Sequence, residues 1–188
     1  MAPAEAIAVA KKKASYGDAL GTLVVDGIVL AVAAAILFTV GGSFAGLGAM
    51  LGQGVGLAVV SVFAAVLVGG LFFALLAKIV ACTLGGKGGY LEALTVCAYS
   101  LGAPAVSLLV VAIFASMQYV GLLIGFIALS LGIALGVSTL YRSIKELFST
   151  DMVTALVAVG ILTMVVFTAF AVMMPMAGMS TAGLALRA

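Results

Sequence analysis

From Val55 to Leu84 the chain runs thirty residues with a single charge, Lys78. With about 1.5 Å of rise per residue, a helix of that length exceeds a hydrocarbon core of about 30 Å, so this run predicts a tilted or protruding membrane-spanning helix. Four further apolar runs cover about Ala19 to Val40, Leu91 to Ser116, Tyr119 to Tyr141 and Val153 to Met174. The chain as a whole is 66% hydrophobic and 7% charged, against about 25% charged in soluble domains. The expected fold is therefore all-α, a polytopic integral membrane helix bundle of five transmembrane helices. Residues 1–18 form a short N-terminal segment, 19–177 a single transmembrane domain and 178–188 a short tail.

Charge orients this bundle and excludes several functions. Eight Lys and Arg against six Asp and Glu leave a net charge of +2, too weak and scattered for a nucleic-acid partner. There is no His, and Cys82 and Cys97 lie in or beside apolar runs, without zinc-ligand spacing or a base to activate them. Asp26, Glu92 and Glu146 are too dispersed for an acid-base pair, so no catalytic residue, cofactor or metal is expected and the chain reads as a non-enzyme. Lys11 to Lys13 precede the first run, which is too long for the core of a signal peptide and reads as a retained span. Cations then alternate: Lys78 and Lys87 flank the second connection, Arg142 and Lys145 lie in the fourth, and the first and third have none. The positive-inside rule places the N-terminus in the cytoplasm and, after five spans, the C-terminus outside, in a multi-pass protein of the cell membrane. Tyr16, Tyr90, Tyr119 and Tyr141 sit near the ends of the runs, as an aromatic belt requires.

The least apolar long stretch within the predicted domain is Gly85 to Pro104, GGKGGYLEALTVCAYSLGAP. Gly85, Gly86, Gly88 and Gly89 permit a tight reversal, Glu92 brings negative charge to a helix start, and Pro104 removes an amide donor from Ser100 and predicts a kink. Ser100 and Ser107 are expected to back-bond to the freed groups. In the fourth run Gly121, Gly125, Ala128, Gly132 and Gly136 recur every three or four residues, which aligns them on one helix face as a close-packing surface, within the chain or between copies. Residues 142–152, RSIKELFSTDM, read as a short charged loop, either a solvated membrane edge or a partner-docking surface. Asp26, about two turns inside the first run, is either a hydrogen-bonded packing residue near the interface or a proton or cation site, with Lys78 as the one candidate counter-charge.

These features together resemble the Yip domain family of small five-span membrane proteins, over about Tyr16 to Ala177. Gly85, Gly86 and Gly89 match the family's glycine-rich cytoplasmic turn, and Tyr99, Ser100 and Pro104 match its Tyr-Ser-x-x-Pro-like element, with one more residue before the proline. Eukaryotic relatives are linked to prenylated Rab-type GTPases through a longer N-terminal region. With about eighteen residues before the first span here, Rab binding is not carried over, and the chain looks like a prokaryotic member, archaea included. The resemblance implies a membrane scaffold or organiser acting through helix packing, with the lipid bilayer and other membrane subunits or further copies as partners. The alternatives are a small accessory subunit of a larger membrane complex, or a transporter, channel or lipid-moving protein that uses Asp26.

Overall fold

The computed structural model describes residues 15–41, 55–166 and 168. The Lys11–Lys13 segment, the glycine-rich turn over 42–54, and everything beyond 168, including Met174, Pro175 and the 178–188 tail, lie outside the described residues. Helices α1 (Tyr16–Gly41), α2 (Val55–Thr83), α3 (Tyr90–Phe114) and α4 (Gln118–Leu147) follow one another, with a short 3-10 turn, Ala115–Met117, between α3 and α4. Helix α5 is described over Met152–Val166. The first four are long and apolar enough to cross a membrane, so the chain is a helical membrane protein.

Helix α3 is the centre of the bundle. It packs most extensively on α4 and also on α1 and α2. Its first turns are enclosed on every side, since Ala93, Leu94, Thr95, Val96, Cys97 and Ala98 are all buried in succession. A helix buried all round needs apolar residues all round, and this run supplies them. Alanines build the contacts: Ala19 on α1, Ala74, Ala77 and Ala81 on α2, Ala93 and Ala98 on α3, and Ala155 and Ala158 on α5 belong to one buried cluster with Leu140, Ile144 and Phe148. Within a bilayer, association rests on backbone-close packing rather than on apolar transfer, which explains small residues in the core and large ones on the outside.

The α3–α4 hairpin is held by the small-residue face of α4. Gly121 lies against the Phe114 carbonyl, Gly125 against Val111, Gly132 against Ser107 and Ala103, and Gly136 against Pro104. At Gly136 a side chain would begin 3.0 Å from the Ser100 carbonyl oxygen, the group that lost its amide donor to Pro104. The hydroxyls do not serve that carbonyl. Ser100 donates to the Cys97 carbonyl at 2.9 Å and Ser107 to the Pro104 carbonyl at 2.8 Å, so the α4 backbone, not a hydroxyl, covers the proline site.

One boundary differs from expectation. Arg142 to Leu147 are not loop but the last turns of α4, and the connection to α5 is only Phe148 to Asp151. The helix continues because Leu140, Ser143, Ile144, Leu147 and Phe148 keep a buried stripe at helical spacing, while Arg142 and Lys145 stay exposed. The sharp turn falls at Ser149, which adopts a left-handed φ of 51°. Asp151 then accepts the Val153 and Thr154 amides at 3.2 and 3.4 Å and opens α5.

Candidate functional site

Two places in this bundle exceed what packing alone requires: the junction of the two short turns at one end, and the carboxyl group of Asp26 in the middle.

The first junction starts from glycines. The chain leaves α2 through Gly85, whose φ of 90° is open to glycine and strained for other residues. Gly86 donates to the Ala81 carbonyl at 2.8 Å, which closes the helix end. Gly89 precedes α3 and donates to the Glu92 carboxylate at 2.8 Å, so the acid caps the helix that it begins. The turn is then locked to the α4–α5 connection. The Lys87 amide donates to the Phe148 carbonyl at 2.9 Å, and the fully buried Phe148 ring covers Gly88, where no β-carbon would fit. At Gly86 a β-carbon would stand 3.2 Å from that of Phe148 and 3.1 Å from the Thr150 methyl. Gly85, Gly86 and Gly89 therefore shape the reversal. Gly88, outside the motif, receives the aromatic ring. The sequence signal for this contact is Phe148, the one aromatic residue in 142–152.

The other motif residues lie deeper. Tyr99 and Ser100 are half-buried on α3, and Pro104 lies within the same helix against Gly136. The structure thus separates the glycine turn from the Tyr-Ser-Pro element instead of joining them in one site.

Asp26 lies ten residues after Tyr16, the first residue of α1. This corresponds to about 15 Å along the helix from its first residue, half the thickness of a hydrocarbon core of about 30 Å. The side chain is 7% exposed and its Oδ2 has no hydrogen-bond partner among the described residues. Opposite it stands Gly102 of α3, where a β-carbon would lie 3.6 Å from Oδ1. Next to Asp26, Gly27 faces Phe63 and Val66 of α2. Lys78 is twelve residues beyond Val66, about 18 Å along α2, and cannot be the counter-charge. One turn toward the loop-lock end, Leu23 packs on Gly70, and the buried Cys97 thiol donates to the Gly70 carbonyl at 3.4 Å.

An apolar crevice of about 310 Å³ opens beside this region, between Gly69 and Gly70 of α2, Cys97 and Ser100 of α3, and Val166 of α5. Asp26 is not among the residues that line it. Among the described residues, no group of three or more Cys, Asp or Glu is placed to hold a metal ion. Among the described residues the buried polar side chains are Asp26, Thr95, Ser107 and Ser143. Thr95 and Ser107 turn back on carbonyls of their own helix at 2.8 Å, whereas the buried Ser143 and Tyr141 hydroxyls have no hydrogen-bond partner among the described residues.

No protein family, curated protein or solved structure matches the chain.

Proposed function

We propose that this chain is a non-enzymatic integral membrane protein of Yip-domain type that organises its neighbours in the bilayer through helix packing. In this reading it has five spans, a cytoplasmic N-terminus and an outer C-terminus in the cell membrane. The observation that carries the reading is the isolation of its buried polar groups. Among the described residues four polar side chains are buried, and two of them, Thr95 and Ser107, turn back on their own helix, which favours packing over a solute path. The glycine turn and the α4–α5 turn touch, as they must if both face one compartment, and Lys87, Arg142 and Lys145 lie at that same end.

Extraction of the full chain from native membranes in a lipid-preserving polymer, followed by mass determination, tests the function. Copies of this chain or several different membrane proteins held with it support an organiser. A fixed stoichiometry with one larger complex would instead make it an accessory subunit, and ion flux in proteoliposomes, abolished by Asp26→Asn, would make it a transporter. Orientation has its own test. In a Cys-free background an impermeant maleimide applied to intact cells should label a cysteine placed at Ser43 and not one at Ser149; labelling at 149 would reverse the topology.

A further inference from the structure

We propose that Asp26 is a proton-binding site in the middle of the membrane, and that the contact between α1 and α3 is built around its protonated carboxyl group. The argument rests on what surrounds the side chain. A carboxylate inside a bilayer needs a cation, several hydrogen-bond donors or water. Helix α1 packs on α2, on α3 and on the 3-10 turn. The titratable residues of those elements are Lys78 and Cys82 on α2, and Tyr90, Glu92, Cys97 and Tyr99 on α3, with none on the turn. Lys78 and Cys82 are displaced toward the far end of α2. Glu92 and Tyr90 lie ten and twelve residues before Gly102, about 15 and 18 Å along α3. Only Cys97 and Tyr99 come from nearby turns. Neither side chain is a cation, and the Cys97 thiol is directed at the Gly70 carbonyl.

Two hydroxyls close in sequence to Asp26 and Gly102 are committed in the same way. Thr22 donates to the Asp18 carbonyl at 2.9 Å and Ser100 to the Cys97 carbonyl. A metal ion would need several ligands, and among the described residues no second Asp, Glu or Cys joins Asp26 in a group of three or more. The ligand that fits a single buried carboxylate facing a glycine is a proton taken from water. One O–H bond forms on the carboxylate, its negative charge is cancelled, and no other atom or electron changes place. In the neutral form Asp26 packs against Gly102 as an uncharged group. Loss of the proton places a charge between α1 and α3 at mid-membrane, where the contact must admit water or separate.

Infrared spectroscopy of the full chain in zwitterionic lipid vesicles tests this directly, with aspartate labelled by carbon-13 at the side-chain carboxyl. The other two aspartates, Asp18 and Asp151, are exposed. The proposal expects one carboxylic-acid carbonyl band at neutral pH that shifts with the label and is lost in Asp26→Asn. In Asp26→Glu the acid band persists without the isotope shift. If Asp26→Asn fails to fold, the isotope shift in the native sequence still assigns the band, because it separates aspartate from glutamate. Carboxylate bands alone at neutral pH in labelled native protein, or an acid band unchanged in Asp26→Asn, would overturn the proposal.

Discussion

The two ends of the α3–α4 hairpin are closed by opposite means. At the end that carries the short turns, large side chains point inward: Phe148, Leu23, Leu94 and Ile144 are fully buried, and two connections clasp each other through the Lys87–Phe148 bond. At the opposite end the large side chains point outward, with Tyr119 86%, Phe126 73% and Leu123 66% exposed, and the helices meet through glycine. Neither end is loosely built. The first is sealed by side-chain volume and the second by its absence. This difference teaches that the aromatic content of a segment does not locate the core of such a protein, because lipid solvates an outward phenylalanine as well as a helix does.

The largest effect should come from adding volume where its absence is the device. Gly132→Leu places side-chain atoms on Ser107 and within 3.1 Å of the Ala103 carbonyl even at the β-carbon, so folded protein should be lost, as measured by monodisperse yield. Leu131→Ala, on the neighbouring 59% exposed position, should fold normally; equal tolerance of both would end the packing account of α4.

Next comes removal of volume where volume is the device. Phe148→Ala should destabilise the bundle by about 3 kcal/mol, the low end for a buried aromatic, in reversible detergent unfolding. Phe126→Ala should change it by less than about 0.5 kcal/mol, and a similar cost for both would erase the contrast between the ends.

A third experiment sharpens the clasp. Gly88→Ala should cost about 1 to 3 kcal/mol because the new methyl displaces the Phe148 ring. In a Phe148→Ala background the same change should cost little, and strict additivity in that double-mutant cycle would show that the ring does not press on Gly88.

The smallest effect is at Asp151. The Thr154 hydroxyl, followed by the Thr154 and Val153 amides, holds its carboxyl below the usual range. Because the folded-state value is depressed, the contribution is present above the ordinary aspartate range, about pH 4, and fades as pH falls through the folded value. Asp151→Asn should flatten that acid-side dependence of the thermal midpoint by a degree or so at most, given full exposure; an unchanged acid limb would remove Asp151 from the account.

Much of this architecture is legible along the chain. Long apolar runs determine helices, because an unpaired backbone in lipid has no other partner within reach, and the glycine cluster at 85–89 determines where α2 must stop. The face formed by Gly121, Gly125, Ala128, Gly132 and Gly136 follows from helical periodicity alone. Tertiary structure decided what lies opposite each residue. Arg142 to Leu147 read as loop by their charge, yet they remain helical because their inward stripe finds a core supplied by α2, α3 and α5. Phe148 lies in the segment read as a charged loop, and it is buried because Gly88, sixty positions earlier, leaves space beneath it. Asp26 was visible as an acid in an apolar run, but its depth and lack of a partner depend on where α1 begins and on Gly102 facing it from α3. Periodicity acts over a few residues and is written locally. The partner of a side chain is chosen by contacts between distant segments, and only the assembled bundle contains that choice.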